Sequence, residues 1–141
     1  MNIIASIDGY WFQKIKNGEK TIEVRKTVPK ANRSELFDSI KDRIYWYNTK
    51  TRIIEGRSIF IEAKKYSYDE VKQENIPQGH CLTNEYIKDY MNYGENRYVY
   101  FWSLGEFEPL ELELPEDKMP PQSWCYENTI FPKGATLGEK Q

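Results

Sequence analysis

The sequence predicts an α+β domain, a small mixed β-barrel or curled sheet with two or three short helices. Three observations predict it. Short runs that alternate, or that are rich in β-branched and aromatic residues, recur along the chain and make five or six strands. The helical patterns between them are few and short, with no βαβ alternation and no internal repeat. The length, 141 residues, is that of one domain.

The elements follow in order. Ile3-Ile4-Ala5-Ser6-Ile7 is an apolar run and reads as the first strand, and Asp8 offers an N-cap. Tyr10, Trp11, Lys14 and Ile15 then recur at helical spacing, and Asn17-Gly18 ends that helix. Thr21-Ile22-Glu23-Val24-Arg25 alternates strictly, with Ile22 and Val24 on one side and Thr21, Glu23 and Arg25 on the other. Residues 26–34 read as a loop around Pro29, and Glu35 to Ile40 as one or two helical turns.

Ile44-Tyr45-Trp46-Tyr47 reads as a strand, and Ile53 to Ala63 as a longer one interrupted by Gly56. Ser67-Tyr68-Asp69-Glu70 fits a capping box before a short helix. Another helix begins at Thr83, with Tyr86, Ile87, Tyr90 and Met91 on one face. Arg97 to Leu104 is the next strand. Phe107 to Leu114 reads as a charged edge strand, and Trp124 to Tyr126 as a final short one. Residues 1–131 are expected to form the single domain and residues 132–141 a flexible tail.

Composition excludes several classes. Hydrophobic residues are 39% and charged residues 30% of the chain, which fits neither a disordered nor a membrane-embedded protein. The N-terminal residues lack the basic region and long apolar core of a signal peptide, so the expected compartment is the cytoplasm, with no membrane partner. Residues 14–57 carry 12 Lys and Arg against 6 Asp and Glu, whereas residues 58–141 carry 8 against 15. Such a division either polarises the surface or mixes on folding. Cys81 and Cys125 are expected to be free thiols. With His80 as the only histidine, no metal site is expected. No nucleotide-cofactor or phosphate-loop motif is present, so no cofactor is expected. His80 beside Cys81 is a weak signal for nucleophilic catalysis.

Two segments are candidates for function. Gly18-Glu19-Lys20-Thr21-Ile22-Glu23-Val24-Arg25-Lys26 places an ammonium (Lys20), a hydroxyl (Thr21), a carboxylate (Glu23) and a guanidinium (Arg25) within six positions. A guanidinium fork beside a carboxylate fixes its orientation. The set either binds a polar planar ligand and shuttles protons, with Lys20 and Glu23 as catalytic candidates, or is an exposed strand face with weak surface ion pairs. In Met119-Pro120-Pro121-Gln122-Ser123-Trp124-Cys125-Tyr126, the prolines stiffen an approach that carries the Gln122 amide and the Trp124 ring. These two suit the edge and the face of a base, or else Trp124 and Tyr126 plug the core. The chain is 15% aromatic, and Trp46 is a further candidate stacking residue.

The opening strand, the helix with Ile15 and the run GEKTIEVRK resemble the N-terminal signature of the ASCH domain, named for activating signal cointegrator homology. The strands at 44–47 and 53–63 sit where that family has its next barrel strands. PPQSWCY is similar to the ending of small phage and bacterial members. Residues 64–96 carry no motif of the family. The resemblance implies a PUA-like fold, related to RNA-modification and RNA-binding modules, with a cleft beside the GEKTIEVR strand at Lys20, Glu23 and Arg25. One branch of the family hydrolyses 4-acetylcytidine with a Lys, a Thr and a Glu. Its Lys matches Lys20, but its nucleophilic Thr falls on Glu23, which argues against the same reaction.

Three functions are therefore expected, in order. The first is a module binding RNA or a modified nucleoside or nucleotide. The second is a protein-interaction domain of transcription or translation that uses the acidic stretch from Glu106 to Asp117. The third is an amidohydrolase on a small modified nucleoside such as 4-acetylcytidine.

Overall fold

Strand β1 (Asn2–Ile7) shows the pattern that organises the protein. Its residues Ile3, Ala5 and Ile7 turn to one apolar cluster and Ile4 to another, because side chains alternate across a strand and here both faces are covered. The computed structural model describes residues 2–29 and 42–132. The turns expected at Glu35 to Ile40 and the tail beyond residue 132 lie outside the described residues.

Asp8 caps helix α1 (Gly9–Lys16) by accepting the Tyr10 amide at 2.8 Å. Asn17 closes the helix, and Gly18 follows with φ +81°, the left-handed conformation that costs glycine least. The remaining elements are β2 (Ile22–Arg25), β3 (Arg43–Asn48), β4 (Ile53–Ser67), α2 (Tyr68–Lys72), α3 (Asn84–Tyr90), a 3-10 turn at Asn92–Gly94, β5 (Tyr98–Leu112), β6 (Trp124–Tyr126) and α4 (Glu127–Ile130). Ser67 and Glu70 form the expected capping box, and Thr83 caps α3.

The six strands form one curled sheet in the order β2-β5-β4-β3-β1-β6. The β1–β3 pair is parallel and the other pairs are antiparallel. Curling comes from the long pair β4–β5, whose register shifts at three places between Ile54 and Glu62. Each shift bends and twists the ribbon locally. This ribbon also explains a difference from the sequence reading. The strands expected at 97–104 and 107–114 are one continuous β5, because β4 is long enough to pair with both halves. The half from Phe107 onward pairs with β4 alone, since β2 covers only Tyr100 to Ser103.

Three clusters result. The concave face holds Ile3, Ala5, Ile7, Ile44, Trp46, Phe60, Trp102 and Leu104, with Phe12 and Ile15 of α1 packed across it. The opposite face of β1 and β3 buries Ile4, Tyr45, Tyr47 and Ile54 with Ile130 of α4. The third cluster joins Ile22 and Val24 of β2, and Val99 and Phe101 of β5, to Val71, Ile87 and Met91. Strand β2 is therefore buried along its whole length, aliphatic on one side and ionic on the other.

Gly56 has a specific packing reason. A Cβ there would overlap the Phe107 ring, which lies over the β4 backbone and meets Phe12 edge-on at 5.8 Å between centroids. Gly56→Ala is expected to lower stability by about 1–3 kcal/mol, read as a reduced urea midpoint. Phe107→Leu in the same chain should recover part of that loss. A Gly56→Ala protein as stable as the parent contradicts this packing.

Candidate functional site

A hollow of ≈ 330 Å³ opens where β2, the end of β1, α1, α3 and the segment before β6 converge. Glu23 and Arg25 line it from β2, and Lys20 from the turn before β2. Ser6 and Asp8 line it at the end of β1, Trp11 from α1, Tyr86 and Tyr90 from α3, and Gln122 and Ser123 from the proline-stiffened segment.

The three ionic groups are buried: Lys20, Glu23 and Arg25 are 3%, 7% and 8% exposed. Buried charges persist only when paired and hydrogen-bonded. Arg25 meets that condition fully. Its Nε donates to Glu23 Oε2 at 2.7 Å, and Nη2 lies 2.7 Å from the same oxygen. Nη2 also donates to the Ser6 carbonyl at 2.9 Å. Nη1 donates to the carbonyl and to Oγ of Ser123, both at 3.0 Å. All three of its nitrogens thus donate within the protein, in four hydrogen bonds, and its guanidinium carbon lies 5.6 Å from the Trp102 ring centre. Arg25 orients Glu23 and holds the cleft's walls together.

Lys20 is held differently. Its Nζ donates to the His80 carbonyl at 2.6 Å, lies 3.4 Å from Glu23 Oε1 and sits 5.2 Å above the Trp11 ring. Burial pushes its pKa below the ordinary value, and the Glu23 carboxylate pulls it partly back. His80 is also shifted down, first by burial and then by Lys20. Its Nδ1 accepts the Leu82 amide at 3.0 Å, so the neutral ring carries its proton on Nε2. The role of His80 in the site is its main-chain carbonyl. The neighbouring Gly79 carbonyl takes the amides of Thr21 and Ile22 at 2.8 and 3.1 Å. The segment at 64–96, which carries no family motif, therefore anchors the start of β2 and supplies two aromatic walls.

The other sequence candidates are dispersed. Thr21 precedes β2, is exposed and does not line the cleft, because the clamp by Gly79 makes the alternation begin at Ile22. Trp46 has no exposed surface, and its Nε1 donates to Ser58 Oγ at 2.9 Å within the core. Trp124 is half-buried, edge-on to Trp102 and Tyr126, and its Nε1 donates to Thr27 Oγ1 at 2.8 Å. Gln122 is exposed and lines the cleft. Cys81 is exposed and Cys125 is half-buried, both as free thiols. In the acidic stretch, Glu108 pairs with Arg57 at 2.7 Å.

Sequence reasoning missed the aromatic residues that line the cleft: Trp11, Tyr86 and Tyr90. A signal for two of them existed. Tyr86 and Tyr90 are four apart, as are Ile87 and Met91, so two stripes run side by side along α3. Ile87 and Met91 enter the core, and the tyrosine stripe faces the cleft.

Arg25→Met leaves Glu23 buried with only the 3.4 Å contact to Lys20 and is expected to cost about 3–5 kcal/mol by urea denaturation. Arg25→Lys should not recover this, since an ammonium cannot reproduce the planar fork. Full stability of either variant contradicts the arrangement. The lowered pKa of Lys20 has a defined pH sign. Between its folded value and the ordinary 10.5, the folded protein holds fewer protons than the unfolded chain. The stability contribution at Lys20 therefore rises with pH through that window. Relative to Lys20→Met, the parent should gain stability as pH climbs toward 10.5. A difference that stays constant or shrinks excludes the shift.

No family model matches the sequence, and no curated protein matches it. Solved structures do. The chain is similar to the crystal structure of ASCH from Zymomonas mobilis, with a TM-score of 0.71 and 18% identity, over 89% of this chain and 86% of that one. A single-residue mutant of that ZmASCH protein aligns with a TM-score of 0.71 and 16% identity, over 89% and 87% of the two chains. Identities this low establish architecture, and the architecture agrees with the resemblance carried by GEKTIEVRK and PPQSWCY. The chain has the fold of these ASCH proteins.

Proposed function

We propose that the cleft binds a nucleobase, presented by RNA or by a free modified nucleoside. The observation that carries this reading is an aromatic-walled hollow whose charges cancel. Lys20 and Arg25 face Glu23 and Asp8 among the lining residues, and Arg25 has its donors committed to protein acceptors. A site without surplus positive charge does not select phosphate. Trp11, Tyr86 and Tyr90 line the hollow with aromatic surface, and stacking of a base on such a ring is worth about 1–3 kcal/mol. Gln122 offers both a donor and an acceptor to a base edge from a backbone stiffened by Pro120 and Pro121. RNA-related PUA-like folds are consistent with this reading, but the side-chain arrangement is its basis.

A second reading draws on one feature. Lys20 and Glu23 form an ammonium–carboxylate pair 3.4 Å apart, facing the cleft, with the pKa of the lysine lowered by burial. Such a pair suits proton transfer in hydrolysis of a modified nucleoside.

Calorimetry against cytidine, 4-acetylcytidine, uridine, adenosine and guanosine tests the first reading. At least one is expected to bind, with little dependence on salt. Trp11→Ala should weaken it about 10-fold and Gln122→Ala about 2- to 10-fold. Absence of heat with every nucleoside refutes base binding in the cleft. Acetate release from 4-acetylcytidine that disappears in Lys20→Ala supports the second reading. Release that survives this substitution refutes the role of Lys20.

A further inference from the structure

The cleft does not end the aromatic surface. Tyr10, outside the cleft and 60% exposed, meets Trp11 edge-on at 4.7 Å between ring centroids. Trp11 meets Tyr86, 51% exposed, edge-on at 6.3 Å. Three rings thus run from the outer surface of α1 to the far wall of the cleft. Because each meets the next edge to face, the run is not a closed stack of parallel rings. Lys14, four residues after Tyr10 on α1, holds its Nζ 5.2 Å from the centre of the Tyr10 ring. Its ion pair with the exposed Glu19, at 3.3 Å, is of the weak surface kind. The exposed Lys26, next to Arg25 in the chain, sits 4.8 Å over the ring of Tyr90, a wall of the cleft. Cations therefore stand at the rim, whereas the hollow itself is charge-balanced.

Single-stranded nucleic acid fits this division. A base enters the hollow, and the phosphate that the hollow does not favour stays outside beside an ammonium. The neighbouring base then needs an exposed ring at the rim. We propose that Tyr10, with Lys14, is a second nucleotide subsite. It takes the base adjacent to the one in the cleft, so that the partner is a single strand of at least two nucleotides. This rests on the base-binding reading of the cleft. The subsite works by stacking and one phosphate contact, and therefore tolerates any base. A duplex is excluded, because its bases are already stacked on one another.

The test compares, by fluorescence anisotropy and calorimetry, the nucleoside panel with a labelled RNA hexamer containing all four bases. A DNA hexamer and a hairpin RNA of equal charge serve as controls. Both hexamers are expected to bind at least 10-fold more tightly than any nucleoside, and the hairpin more weakly than either. Tyr10→Ala should remove about 10-fold of hexamer affinity and leave nucleoside affinity unchanged, with Tyr10→Phe retaining hexamer binding. Lys14→Ala should reduce the slope of log affinity against log salt by about 1. If a nucleoside binds but the hexamers bind no more tightly, or Tyr10→Ala has no effect on them, the subsite is overturned and the cleft reading stands. If no nucleoside binds, the cleft reading falls, and hexamer binding through Tyr10 then overturns its placement as a second subsite beside a base in the cleft. Equal affinity for the hairpin overturns the stacking mechanism.

Discussion

The described sheet has two edge strands, β2 and β6, that share no backbone pairing, and the Arg25 side chain bridges them beside the Trp124–Thr27 bond. Arg25 reaches from β2 to Ser6 at the end of β1 and to Ser123 just before β6. A guanidinium does this because its donors are rigid, coplanar and numerous enough to satisfy acceptors on three segments at once. Glu23 is what makes the burial tolerable. Without the carboxylate the guanidinium would sit desolvated and unbalanced. Without the guanidinium the carboxylate would be in the same position.

That constraint assigns different work to residues which looked equivalent in the sequence. Lys20, Glu23 and Arg25 all line the hollow, yet Arg25 is committed to the scaffold. Lys20 has one short bond to the His80 carbonyl and a looser contact with Glu23, and it stands against Trp11. In the proposed reading, proton transfer falls to this amine and the carboxylate beside it, and recognition to the tyrosines of α3, the indole of α1 and Gln122. The division follows from geometry: the strand supplies charge, the helices supply ring faces, and the proline-stiffened segment supplies an amide. Moving outward, the charge balance changes. Among the described lining residues the charges cancel, and farther out ammonium groups stand over the exposed Tyr10 ring and the half-buried Tyr90 ring.

The strands, the helix caps and the ionic face of β2 were legible because each is a local matter. Asp8, Ser67 and Thr83 cap helices through bonds that span two or three residues. Glu23 and Arg25 share a side of β2 by the period of two alone. The stacking residues were not legible in this way. Trp46 looks like a platform and is wholly interior, because β3 is covered on both faces. Trp11, at helical spacing with Ile15, packs against the core and also stands over Lys20. An aromatic ring is equally suited to a core and to a cleft, and only the packing of the opposite layer chooses between them. The merging of two expected strands into β5 has the same origin, since it depends on the length of its partner.

By itself, the amino-acid order determined the class of fold, the elements near its start and the chemical inventory of the β2 face. Alternation, capping and turn chemistry operate over a few residues and need no distant partner. Tertiary structure alone decided that the ionic face meets a hollow and not bulk water. It brought His80, 60 positions from Lys20, and Ser123, 98 positions from Arg25, within hydrogen-bond reach. Those contacts depend on how a curled sheet returns its last strand beside its first, and no local pattern encodes that closure.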